Sequence, residues 1–172
     1  FTALAISTEN EVTGNFQCSD EQINQLQSNI YWSQRSNNIT IPTDCPTREK
    51  AGWTGDVVVY GATALYNQNM TAFYEDWLRS IRLDQLENGY VLGTVPQIRN
   101  YVQQGDTGSL GWGDVILTLP LQLYQLYGDK EVLQANYEAM EEWMQSMERA
   151  AHELPSEAVA YGGSQTEQNC DE

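Results

Sequence analysis

Apolar residues recur at helical spacing in most of the chain, interrupted by two polar, glycine-containing stretches. Ser19 and Gln22 form a capping-box pattern ahead of Ile23, Leu26, Ile30 and Tyr31, so a first helix is expected from about Asp20 to Asn37, ending before Pro42. Val57 to Tyr66 is apolar nearly all round, which fits a buried helix opened by Asp56 or equally a buried strand. Thr71 is expected to cap a third segment with Phe73, Trp77, Leu78 and Ile81 on one face and a Glu75–Arg79 pair on the other. Asp114 opens a fourth, apolar helix to Tyr127, kinked at Pro120. Asp129 opens a fifth, in which Leu133, Tyr137, Met140, Met144 and Met147, with Trp143, read as a packing face rather than a ligand box.

Five helices and almost no strand predict an all-α fold. The second and fourth helices are apolar all round and the third and fifth one-faced, which suggests inner and outer layers of a helical barrel. Residues 1–18 read as an extended lead-in from a preceding domain. Residues 152–172 are polar and aperiodic, and a loop or disordered tail is expected there.

The formal charge of −16 repels phosphate backbones and anionic lipid, and so argues against nucleic-acid and membrane partners. Eleven of the acids lie between Asp129 and Glu172 against two bases, which marks a solvated acidic surface rather than a substrate funnel. Cys18, Cys45 and Cys170 are odd in number and far apart, so reduced thiols are expected and neither a disulfide framework nor a zinc site. That slightly favours a cytoplasmic setting, with secretion of a longer parent left open. No apolar run is long enough to cross a bilayer, and the chain reads as soluble. The Asn-x-Thr triplets at Asn38 and Asn69 receive no role, and the single histidine, His152, falls on the acidic surface.

Chemistry concentrates between Thr40 and Asp56, expected to be a long irregular loop with two Pro and two Gly. Asp44, Glu49 and Asp56 are three carboxylates in thirteen residues, interleaved with Arg48, Lys50 and Trp53. Glycoside cleavage needs a protonated carboxylic acid, and an apolar wall or a neighbouring carboxylate raises the pKa of such a group. Trp53 and Asp44 are placed to do both for Glu49. Trp53, Trp112 and Asp56 suit a sugar, which is held by flat aromatic faces beside carboxylates. The same residues also admit plainer roles: Asp44 in a turn, Asp56 as a helix cap, Arg48 with Glu49 as a surface pair.

The stretch from Asn29 to Asp56 closely resembles the signature of bacterial α-L-rhamnosidases, glycoside hydrolase family 78. The likeness continues through Phe73–Trp77, Gly111-Trp112-Gly113-Asp114 and Tyr127-Gly128-Asp129. It implies an (α/α)6 barrel of the six-hairpin type, inverting hydrolysis of terminal α-L-rhamnosides and no cofactor. It also implies Glu49 as general acid and Asp44, Arg48, Trp53, Asp56 and Trp112 lining the rhamnose subsite. The family's general base is a Glu much further along than any residue here, so this chain is expected to be inactive alone and to self-associate through exposed barrel interior. Another (α/α)6 glycosidase or phosphorylase, or a non-catalytic sugar-binding relative, stays open as an alternative.

Overall fold

The computed structural model describes residues 2, 4, 6–97 and 109–153. Five helices carry the fold: α1 (Glu21–Asn37), α2 (Thr54–Asn67), α3 (Thr71–Asp84), α4 (Val115–Tyr127) and α5 (Lys130–Glu153). The short strands β1 (Asn38–Ile39) and β2 (Ile41–Pro42) pair antiparallel, Asn38 opposite Pro42. The predicted tail after residue 153 and residues 98–108 lie outside the described residues.

Most helix ends follow from local hydrogen bonding. Asp20, not Ser19, caps α1, accepting the Gln22 amide at 2.8 Å; Asn24, rather than Gln22, reaches back to both backbone groups of Cys18. The 57–66 segment is a helix, and it starts three residues early at Thr54. Asp56 therefore sits in the first turn of α2 and does not cap it; the preceding residue, Trp53, supplies no side-chain cap. Asn69 Oδ1 accepts the Thr71 amide at the head of α3. Asp114 makes no side-chain cap for α4, whose far end closes on Gly128 at φ 73°. Asp129 opens α5 as expected, its Oδ1 accepting from Glu131 and Val132. The anticipated Glu75–Arg79 pair is absent among the described residues; Glu75 instead faces Asp129 and Glu131.

α2 packs on α4, α4 on α5, and α5 on α3. Met70, Tyr74, Trp77, Leu78, Ile81, Ile116, Leu119, Leu123 and Trp143 fill the space between them. Two expectations need correction. α2 and α4 are not buried all round, since Val59 is 84% exposed on α2 and Leu121 45% on α4. Apolarity on every face tells that a helix needs partners on every side, and this chain supplies them on one. On α5 the buried face is Val132, Asn136, Ala139, Trp143 and Ser146, while Tyr137 and Met144 are exposed and Met140 and Met147 only partly covered. Trp143 sets that rotation. Its ring lies against Gly113, where a Cβ would come within 2.3 Å of it.

Residues 8–14 are hydrogen-bonded to the rest of the fold rather than leaving it. Thr8 N donates to Asn38 O, Gly14 N to Asn67 O, and Asn69 N to Glu11 O. Beneath them lies a buried amide network that sequence patterning did not reveal. Gln34 of α1, 2% exposed, donates to Gln68 Oε1 and accepts from Asn67 Nδ2 and the Tyr60 hydroxyl.

Candidate active site

The segment after β2 is more ordered than an irregular loop. Asp44 N donates to Ala51 O and Ala51 N to Asp44 Oδ1, both at 3.0 Å, closing an eight-residue ring. Glu49 N donates across that ring to Cys45 Sγ at 3.2 Å. Lys50 completes it at φ 53°, a left-handed conformation that a non-glycine residue holds only where surroundings enforce it.

A second segment, residues 91–95, anchors the ring. Val95 N donates to Gly52 O at 2.9 Å, Thr54 N to Gly93 O at 2.8 Å, and the Trp77 indole to Val95 O at 2.9 Å. Val91, Leu92 and Val95 are fully or nearly buried. Sequence reading placed them in a polar loop, although the pair Val91-Leu92 and Val95 were the apolar signal available there.

Within the ring, Glu49 is held through both carboxylate oxygens. Oε1 accepts from Arg48 Nη2 at 2.6 Å, and Oε2 from the Trp53 indole N–H at 2.7 Å. The Arg48 guanidinium and then the Trp53 N–H hold the carboxyl below its ordinary range, against smaller upward effects of burial and of Asp44. This reverses the expectation of a protonated Glu49: Trp53 presents a donor rather than an apolar wall, and Arg48 outweighs Asp44. For Asp44, burial pushes upward, but the Cys45 thiol and the backbone amides of Ala51 and Cys45 together hold it below its usual value. Asp56 moves the other way, pushed up by burial and then by the negative charges of Asp44 and Glu49.

Asp44, Asp56 and Trp112 meet in a cleft of about 640 Å³, whose walls also include Ser33, Asn37, Thr43, Tyr60 and Tyr74. Arg48, Glu49 and Trp53 do not line it. They connect to it through Asp44, which belongs both to the cleft and to the ring. Trp112 lies flat on Gly55, where a Cβ would approach its ring to 2.8 Å. Asp114 fixes the turn that presents Trp112, accepting from Gly111 N and from the Trp143 indole. Gly111 there takes φ 86°. Asp114 was expected only as a cap, and its positioning role depends on a contact 29 residues away. Among the described residues no cluster of His, Cys, Asp and Glu is arranged to hold a metal ion, and Cys18 and Cys45 are free thiols.

A cleft with two carboxylates and an aromatic face, beside a third carboxylate held by cation and indole, is suited to a polyhydroxylated ligand and to proton transfer. Comparisons with known proteins point the same way. Residues 11–166 match the bacterial alpha-L-rhamnosidase 6 hairpin glycosidase domain. An alpha-L-rhamnosidase of Formosa agariphila is 42% identical over 132 residues, 76% of this chain and 14% of that protein. One of Streptomyces avermitilis is 35% identical over 162 residues, 94% of this chain and 15% of the relative. The chain thus spans about one seventh of the length of these relatives. Among solved structures, the alpha-L-rhamnosidase of Dictyoglumus thermophilum superposes with a TM-score of 0.79 at 36% identity, over 86% of this chain and 16% of that one. The Streptomyces avermitilis alpha-L-rhamnosidase complexed with L-rhamnose gives 0.77 at 36% identity, over 83% of this chain and 14% of that one.

Proposed function

Because the chain belongs to the bacterial alpha-L-rhamnosidase six-hairpin glycosidase family, we propose that it supplies the general-acid half of a centre that hydrolyses terminal α-L-rhamnosides with inversion. Residues 19–151 are the first part of an (α/α)6 catalytic barrel. Glu49 is the acid, protonating the departing glycosidic oxygen while a carboxylate outside this chain activates water on the opposite face of the sugar. Asp44, Asp56 and Trp112 bind the rhamnose in the cleft, and Arg48 and Trp53, which do not line it, hold Glu49 beside it. The observation that carries the reading is the ring that fixes Glu49 by its backbone and by both carboxylate oxygens, with Asp44 joining it to the sugar-sized cleft.

Inverting hydrolysis places two carboxyls about 6.5–9.5 Å apart around a water. With one partner missing, the chain alone binds sugar without turning it over. The test compares hydrolysis of an aryl α-L-rhamnoside by the full-length protein and by its Glu49→Gln variant. Turnover by the former and a loss of about 10³-fold or more in the latter support acid and substrate together. An inert full-length protein removes the substrate assignment, and retained anomeric configuration in the product removes the inverting mechanism.

A further inference from the structure

Trp53 offers an indole N–H donor and no acceptor, and a protonated carboxyl oxygen accepts poorly, so Glu49 Oε2, which it holds at 2.7 Å, is the less favourable oxygen to protonate. The proton that an acid must deliver therefore resides on Oε1. That oxygen is taken by the Arg48 guanidinium at 2.6 Å, another group that only donates. Oε1 keeps a second lone pair, but protonating it would weaken its charge-assisted bond to Arg48, so the resting arrangement favours the ionised Glu49.

We propose that Arg48 is a gate on the general acid: its guanidinium holds Oε1 until a sugar hydroxyl or glycosidic oxygen draws it away, and only then does Glu49 take up its proton from water. This rests on the reading of Glu49 as the acid. Two features of Arg48 suit a gate. Its side chain is 85% exposed against 18% for Glu49, so the pair is open to water and weak enough for a ligand to displace. It is also the residue immediately before Glu49, so the two side chains leave neighbouring positions of the same ring. The other charged groups facing Glu49 are Asp44, which lies in the same ring, and Asp56 on α2; both carry negative charge and favour proton uptake once the cation departs. Trp53 keeps the carboxyl oriented throughout. The ionised resting state of Glu49 agrees with this arrangement.

The deciding measurement is a ¹³C NMR titration of the Glu49 carboxyl in this chain, assigned by its disappearance in Glu49→Gln. Arg48→Met is expected to move the midpoint upward, and Arg48→Lys to return it most of the way, while the Trp53 indole N–H signal stays in place and reports an intact ring. A midpoint unmoved by Arg48→Met overturns the gate. In the full-length protein, the alkaline limb of kcat/KM, which reports the free enzyme, should lie at lower pH than that of kcat, which reports the bound state. Coincident limbs overturn release by substrate. Should the full-length protein hydrolyse no rhamnoside, the proposed function fails on that result, while the titration still decides whether Arg48 controls the proton on Oε1.

Discussion

Gly52 joins the ring that carries Glu49 to the helix that carries Asp56, and replacing it with alanine tests whether residues 91–95 hold the site together. An added Cβ meets the carbonyl oxygen of Val95 at 2.0 Å, so the two backbones must separate by at least about 1 Å. Three hydrogen bonds share that junction: Val95 N to Gly52 O, Thr54 N to Gly93 O, and the Trp77 indole to Val95 O. Each contributes about 1 kcal/mol net when buried. Breaking two or three destabilises by about 2–3 kcal/mol, a lowering of Tm by roughly 4–12 °C for a chain of this length. Gly111→Ala is the control. Nothing lies within 4 Å of its added Cβ, and only its φ of 86° is unfavourable, for about 1 kcal/mol. Urea unfolding followed by near-UV circular dichroism separates the two. If Gly52→Ala unfolds at the same urea concentration as the parent, segment 91–95 is not the anchor described above.

Gln34→Ala strands the Asn67 amide N–H and Gln68 Oε1 inside the protein, and urea unfolding should show a loss of about 2–4 kcal/mol; a change below about 0.5 kcal/mol contradicts the buried network. Glu75 is pushed above its ordinary value by burial and then by Asp129 and Glu131, so folding favours its protonated form. That preference costs nothing below the unfolded pKa of a glutamate and destabilises the fold as pH rises through the folded value. Glu75→Gln should therefore raise the urea midpoint at about pH 7 and leave it unchanged at about pH 3, and an equal effect at both rules out the carboxyl as its source. Exposed Val59, Tyr66 and Tyr137 predict that the isolated chain self-associates in sedimentation velocity and that Val59→Ser weakens the association; a monomer at all concentrations refutes this.

What was legible in the sequence is what depends on neighbours a few residues away. The five helices follow from apolar spacing, and the Asp129 and Gly128 boundaries from the φ and hydrogen-bonding preferences of Asp and Gly. The site residues were legible mainly through resemblance, since three carboxylates in a loop admit turns and caps as readily as catalysis. Features closed over long separations were not. Gln34 reads as a surface residue on a polar helix until Gln68 and Asn67 arrive to satisfy it. Val95 reads as loop until Gly52 pairs with it. The polarity of the Trp53 contact was unreadable for another reason: an indole offers an apolar face or a polar edge, and only the ring geometry turns the edge toward Glu49.

Position and protonation of Glu49 therefore have different origins. Its position is local, fixed by Cys45, Ala51, Trp53 and the anchor at Val95, all within this chain. Its protonation is not settled with it: Arg48 and Trp53 hold the carboxyl below its ordinary range here, and the smaller upward effect of burial does not offset them. Under the proposed inverting mechanism, a second carboxylate about 6.5–9.5 Å away would add negative charge and the helices carrying it would exclude water, both of which raise the pKa of the acid. Assembly of the remaining barrel then converts a correctly placed but ionised carboxylate into a proton donor without moving it. On this argument the Glu49 titration midpoint should be higher in the full-length protein than in this chain, while the Trp53 indole N–H signal is the same in both; equal midpoints would show that ionisation, like position, is set locally.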